Sequence, residues 1–462
     1  MPPDPRDQLI AALRQQLAAM TAQIAALTAA VARLSKTSRN SSWPPSQDPP
    51  GTPRPTKPPT GRTRGGQRGH KGNRRELLPA AQVTAIVEHD PAACRGCAAP
   101  LTSRQRVGRP RRAQVIDLPP IVPQVIEHRA HAARCRCGRT THAVLPACAR
   151  HTFGPSVASF VALMTGQQRL SKRNVRALLS ELLGIHVSLG EIINLEQRVS
   201  AALAAPYAEA HAAIKDAPYV CADETGWREE KRRAWLWLAT SRELAVYRID
   251  RTRGGPAARA LLGDDFAGIL SVDRWSGYHW VDATQRQLCW AHLIRNAAGI
   301  AERGGAGARF GQAWLNHTKP MMRWWRDLHR GAITRAVFVR RMATHRVVVA
   351  KVLAWGRACD DDAGAMARDL TRLEPALWTF VDHPGVDLTN NLAERDLRTA
   401  VIWRKTSFGT DSARGSRFVE RMLTVAASLR KQGRSLLAFL AAALAVTGAS
   451  RRRSPSLLPV GG

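Results

Sequence analysis

Apolar residues open the chain in a heptad rhythm. Ile10, Leu17, Ile24 and Val31 take one position of the repeat, and Leu13, Met20, Leu27 and Leu34 take the other. β-branched residues mostly at a, with leucine mostly at d, predict a parallel two-stranded coiled coil over residues 1–36 and hence a homodimer. The same stripe also suits an amphipathic helix packed on its own chain. A helical period returns over 151–206, where Val175, Leu178, Leu179, Leu182 and Leu183 line one face before Gly184. Ser188 then caps a second helix carrying Ile192, Ile193, Leu195 and Val199. Helix, short turn and capped helix predict a helix-turn-helix, a pattern shared by any helical hairpin.

After Tyr207 the pattern becomes strand-like. Residues 217–225, 234–239 and 244–249 predict three strands, 256–262 a helix, 268–273 a fourth strand, and 286–292 one more strand feeding a helix. That is the order of a ribonuclease-H-like α/β core, whose first part we assign to 207–299. Asp223, Glu224 and Asp273 close apolar runs, and the ends of strands are where open α/β sheets put active sites. Residues 300–385 read as a helical insertion. Its Trp314, Trp324, Trp325, Trp355 and Trp378 suit a core, with base stacking as the alternative. Core C-terminal helices follow over 386–450. There Thr389 or Asn390 suits an N-cap, and Ala393, Leu397, Ala400 and Val401 form an inward stripe. Asn391, Glu394, Arg395 and Arg398 share a different face, so Glu394 is either a metal ligand or the partner of Arg398.

Composition adds a partner. The chain has 69 Lys+Arg against 36 Asp+Glu, a net charge of +33, and such an excess calls for a polyanion. Residues 51–75 hold eight Lys or Arg and no acid, within a Pro/Gly-rich stretch, 37–79, predicted to be a disordered basic linker. A basic tail covers 451–462. Arg395, Arg398, Arg404, Lys405, Arg414 and Arg417 are candidate DNA-phosphate contacts, with a solvated face as the alternative. The strongly apolar run Leu436–Val446 is short of the roughly twenty residues a bilayer needs, and the N-terminus lacks a signal-peptide pattern, so a cytoplasmic protein without membrane contact is expected. Cys94, Cys97, Cys135 and Cys137 form two close pairs suited to one structural Zn²⁺. Predicted strands at 113–118 and 124–128 complete a zinc-ribbon-like domain over 80–150, with His131, His142 and Cys148 as substitute ligands.

Four blocks carry a resemblance: Asp223-Glu224-Thr225-Gly226-Trp227, Asp273 to Tyr278, Cys289-Trp290-Ala291-His292 and Asn390 to Arg395. Together with the coiled coil, the cysteine pairs and residues 413–418, they resemble TnpC-type transposases of insertion-sequence family sixty-six, over nearly the whole chain. The resemblance implies a DDE core in which Asp223, Asp273 and Glu394 hold two Mg²⁺ (or Mn²⁺) ions. It also implies cleavage at the element's ends, strand transfer of the 3′-hydroxyl into target DNA, accessory proteins of the same element, and a bacterial, nucleoid-associated setting. Whether Asp223 or Glu224 faces the metals stays open at this point. The expected fold is thus multidomain α+β: a ribonuclease-H-like core with helical insertion, plus coiled coil, zinc ribbon and helix-turn-helix. A dimeric zinc-containing DNA-binding regulator, or a nuclease that does not join ends, are the rival readings. Cys289 and His292 could suggest a metal pair, but without companions they read as structural or as support behind the site's ligands.

Overall fold

The structure, a computed structural model, describes residues 5–34, 36–41, 48, 51–52, 65–67, 69–72, 75–303, 305–446 and 453–459. The linker predicted over 37–79 therefore lies largely outside the described residues. The chain divides into two compact units, 53–123 and the remainder.

The 53–123 unit has two single-turn 3-10 segments and, among the described residues, no strand. Its organised feature is the turn at Cys94–Cys97. The Cys94 N–H donates to Ala99 O (2.8 Å), the Ala98 N–H returns to Cys94 O (2.9 Å), and Ala98 takes a left-handed φ of 60°. The strand predicted at 113–118 does not form, nor does its partner at 124–128 in the other unit. A ladder repays its ordering entropy by burying one face, and here Val115 is 93% exposed and Val125 90%.

The larger unit begins with α1 (Pro5–Leu34), a thirty-residue helix whose seam residues are exposed along its length. Strands β1 (Ala132–Arg134) and β2 (Thr140–His142) pair antiparallel around the second cysteine pair, where Gly138 takes φ of 88°. Helices α2 (Pro155–Ala162), α3 (Lys172–Leu183), α4 (Leu189–Ala202) and α5 (Ala204–Lys215) follow. Ser171 and Ser188 cap α3 and α4 by accepting from the Asn174 and Glu191 N–H groups, and Gly184 ends α3 with a left-handed φ of 61°. The helix-turn-helix outline is present, but α4 packs against α2 and buries Ile192, Leu195, Glu196 and Val199. Its exposed basic residues, Lys172, Arg173 and Arg176, lie on α3.

The main sheet comprises β3 (Tyr219–Glu229), β4 (Arg232–Thr240), β5 (Ala245–Asp250), β6 (Ile269–Val272) and β7 (Arg286–Leu288), in the order β5-β4-β3-β6-β7. The β3–β4 and β4–β5 pairs are antiparallel; β3–β6 and β6–β7 are parallel. Helix α6 (Gly255–Leu262) makes the crossover, and α7 (Trp290–Ala301) leaves β7. The expected element order holds, with one correction. β3 runs six residues past Asp223, to a hairpin at Glu230 and Lys231 with φ of 52° and 63°. Asp223 and Glu224 therefore sit within the strand.

The insertion contains α8 (Gly305–His329), α9 (Arg335–Gly356), α10 (Asp362–Arg372) and α11 (Thr379–Asp382) around its own apolar cluster. Trp290 stacks on Trp314 with ring centroids 5.4 Å apart and meets Trp378 at 5.3 Å. Those two tryptophans are core, as expected, while Trp355 is exposed. α12 (Asn391–Ser407) and α13 (Ala413–Lys431) return to the sheet, and α14 (Leu436–Val446) packs on α2 and α4. The inward stripe Ala393, Leu397 and Ala400 is buried. Part of the expected basic tail packs rather than hanging free: Leu457 is buried and its N–H donates to Glu209 Oε2 at 2.7 Å.

β5 is an edge strand, and α13 completes it. The N–H groups of Ala245, Tyr247 and Ile249 donate to Ser428 Oγ (3.0 Å), Thr424 Oγ1 (3.0 Å) and Glu420 Oε1 (2.6 Å). Four helical residues rise about 6 Å and two strand residues about 6.6 Å, so an i, i+4 row of acceptors matches alternate strand donors. The expected effect of Thr424→Val, which keeps the shape and orphans the buried Tyr247 N–H, is a loss of about 1–3 kcal/mol in urea unfolding. An unchanged midpoint would show that the helix does not substitute for a strand.

Candidate active site

β3 and β6 set the first two acids. Their parallel register pairs Tyr219 with Ile269, Val220 with Leu270 and Cys221 with Ser271. Asp223 and Asp273 each follow two positions beyond the last pair, where the strands part. Adjacent residues on a strand point to opposite faces, so Asp223 and Glu224 take different partners. Glu224 is engaged: Tyr278 Oη donates to Oε2 at 2.7 Å and Arg253 reaches Oε1 at 2.8 Å. Arg253 is in turn sandwiched between Trp235 and Trp275. Asp223 Oδ1 accepts only the Glu224 N–H at 2.9 Å, and among the described residues no side chain donates to it. Asp273 Oδ1 accepts the Trp275 N–H at 2.8 Å. Of the adjacent pair, Asp223 is the carboxylate left available.

Glu394 comes from α12, more than a hundred positions past Asp273. Asn390 ties that helix to the sheet. It stands at the N-cap position but makes no side-chain cap; instead its Nδ2 donates to Ala222 O at 2.7 Å. Its N–H donates to Cys289 Sγ at 3.1 Å, and its carbonyl accepts the Glu394 N–H at 3.2 Å. One buried residue thus joins β3 beside Asp223, the start of α7 and the start of α12. Glu394 does not pair with Arg398: His292 Nδ1 lies 3.6 Å and Arg295 Nη2 3.4 Å from its Oε1.

The electrostatics describe a site short of positive charge. Burial raises Asp223 well above the usual carboxylate range, and the charges of Glu224, Asp273 and Glu394 raise it further. Burial likewise raises Asp273, against the Trp275 N–H and the charges of Arg253 and Arg274. Glu224 is raised by burial and by Asp273, against the pull of Tyr278 and Arg253. Oxygen ligands gathered with an unmet demand for cations fit hard divalent ions. Beside them, burial and Arg295 lower His292 to about 3, leaving a neutral imidazole, and burial raises the Cys289 thiol to about 11.

The predicted phosphate contacts divide. Arg395, Arg398, Lys405 and Arg414 are exposed. Arg404 is turned inward, donating to Thr225 Oγ1 (3.0 Å) and Gly226 O (2.5 Å), so it braces β3. Arg417 pairs with the buried Glu420 at 2.8 Å. In each cysteine turn a backbone N–H helps to lower a thiol: Gly96 and then Cys97 for Cys94, and Cys137 for Cys135. The pairs Cys94/Cys97 and Cys135/Cys137 belong one to each unit. Sequence reasoning gave Tyr278, Arg253 and Arg295 no role, and it set Cys289 and His292 aside as a metal pair for want of a third ligand. Their i, i+3 spacing at the head of the helix after β7 was the available signal.

The chain is α+β, with Asp223 and Asp273 just past the end of the β3–β6 ladder of its main sheet. Comparison with known families is specific. The model of the Transposase IS66 family matches residues 150–417, more than half of the chain, and the chain belongs to that family. A zinc-finger binding domain of transposase IS66 matches residues 91–138, which include all four paired cysteines, and a family of unknown function matches 2–76. Among curated proteins the chain is similar to the uncharacterized protein y4qI of Sinorhizobium fredii, 28% identical over 256 residues. That match covers 48% of this chain and 46% of y4qI, so the chain matches just under half of that relative's length.

The acid cluster has a pH signature. With its folded pKa raised, Asp223 contributes stability that is full below the ordinary aspartate range and is lost as pH rises through the folded value. Asp223→Asn removes that loss. In EDTA the variant should melt above the wild type, with a gap that widens from about pH 5 to about pH 8. A gap that narrows over this range would contradict the crowding of charge at Asp223.

Proposed function

We propose that this protein is a DNA transposase that cleaves the ends of its element and transfers the freed 3′-hydroxyl into target DNA, on a ribonuclease-H-like core. The observation that carries this reading is the parallel register of β3 and β6, whose last pair, Cys221 with Ser271, stands two residues before Asp223 and Asp273, with Asn390 tying the start of α12 to Ala222 beside them. Asp223, Asp273 and Glu394 are the acids that would hold Mg²⁺ or Mn²⁺, two ions per site. Bound there, such ions offset charge developing on the attacking and leaving oxygens of an in-line displacement.

The chain's own residues do the rest. Tyr278 and Arg253 hold Glu224 off the metals, and Asn390 keeps Glu394 in register with the sheet. Arg395, Arg398, Lys405 and Arg414 are proposed to grip phosphates, whereas Arg404 and Arg417 act through the scaffold. Cys94, Cys97, Cys135 and Cys137 are proposed as ligands for structural zinc, a role that the zinc-finger match over 91–138 supports. The exposed seam of α1 supports a homodimer, with higher assembly and accessory proteins of the same element as further partners.

The deciding experiment is a Mg²⁺-dependent assay on labelled element-end DNA. Wild type should cleave and join. Asp223→Asn, Asp273→Asn and Glu394→Gln should keep DNA binding and lose both steps by at least about a thousandfold. Cleavage without joined product would make it a nuclease, and binding without cleavage a regulator. Separately, sedimentation of a Leu17→Asp, Ile24→Asp double variant should report a loss of self-association. Retained dimers would remove α1 from the interface.

A further inference from the structure

Beside the acids lies a donor set of different chemistry. Cys289 Sγ, a ring nitrogen of His292 and a Glu394 oxygen all lie within 4.8 Å of one another. Cys289 caps α7 and His292 follows one turn later, so both face the head of α12. The sulfur is buried and fixed by the Asn390 N–H at 3.1 Å. His292 Nδ1 is buried without a hydrogen-bond partner among the described residues, 3.6 Å from Glu394 Oε1. A thiol, a neutral imidazole and a carboxylate suit Zn²⁺ or Co²⁺ far better than Mg²⁺, and three protein ligands leave a fourth position for water.

We propose that Cys289, His292 and Glu394 form a second metal site, selective for a thiophilic divalent ion, which silences the active site by drawing Glu394 away from Asp223 and Asp273. The silencing rests on Glu394 being the third catalytic acid; the metal site itself does not. As the metal–sulfur bond forms, the Cys289 thiol releases its proton to solvent and the sulfur supplies the electron pair. Arg295, 3.4 Å from Glu394, is the cation that a metal would displace. It keeps the site weak, as a regulatory site needs to be.

The test uses the full chain given a single equivalent of zinc for the paired cysteines and freed of any excess, so that the weaker site is empty when Co²⁺ is added. Wild type should develop a near-ultraviolet sulfur-to-cobalt charge-transfer band. Cys289→Ser, which keeps an acceptor for the Asn390 N–H, should lose it, and His292→Asn should weaken it. In parallel, end-DNA cleavage at fixed Mg²⁺ is followed as Zn²⁺ rises: wild type should be inhibited, while Cys289→Ser should keep cleaving. No band in wild type, or an undiminished band in a Cys289→Ser protein with wild-type circular dichroism, would overturn the site. Equal inhibition of wild type and Cys289→Ser would overturn its regulatory role. A Cys289-dependent band in a wild type that fails to cleave in Mg²⁺ alone would overturn the active-site reading and leave the metal site standing.

Discussion

The arrangement of the site depends on the place where β6 stops pairing with β3. A parallel pair holds its residues level for as long as the ladder lasts, and here the ladder ends two residues before Asp223 and Asp273. One residue more of pairing would keep the strands together nearer the acids. One residue less would let them part sooner. Slipping the register by one would exchange Asp223 for Glu224, because alternate residues face opposite sides of the sheet. The contacts of Glu224 with Arg253 and Tyr278 work against that slip, since they satisfy the wrong carboxylate on its own face.

The other half of the problem is to hold a helix from far along the chain against this point. A side-chain amide does it at the near end, where Asn390 reaches the backbone of β3. At the far end Arg404 donates to Thr225 and Gly226, so α12 is fastened to the same strand twice, on either side of the acid pair. Between these ties Asp396 accepts Thr240 Oγ1 at 2.9 Å and Lys431 Nζ at 2.8 Å, linking the helix to β4 and to α13. These polar contacts within an otherwise apolar interface fix the angle of α12, which hydrophobic burial alone leaves free to rotate.

Much of this was legible in the sequence, for identifiable reasons. Short, nearly continuous apolar runs marked the strands, Ser171, Ser188 and Gly184 marked helix ends, and the heptads marked α1. What escaped were features without a local signature. The polar second half of β3 pairs in full with β4, yet it reads as loop because its hairpin uses Glu230 and Lys231 at positive φ where glycine or asparagine would be expected. The runs at 113–118 and 124–128 have strand composition but nothing to pack on. Arg404 looked like a surface cation until the fold turned it inward, and nothing local marks Glu420, Thr424 and Ser428 as acceptors for the three N–H groups of β5. The cysteine–histidine spacing was visible, but its meaning depended on Glu394 arriving from another helix.

The helix that closes β5 also bears on how the protein is made. Ribosomes deliver the chain from its N-terminus, so the whole sheet, with Asp223 and Asp273 in place, emerges before Glu394 and before α13. Until then β5 carries open donors and the site lacks one acid. Completing the fold therefore requires contacts between segments almost two hundred residues apart, such as Ala245 with Ser428, and contacts that distant form late. A chain cut before α13 would leave the edge of β5 unsealed, which ties completion of the sheet to a helix that emerges well after its last strand.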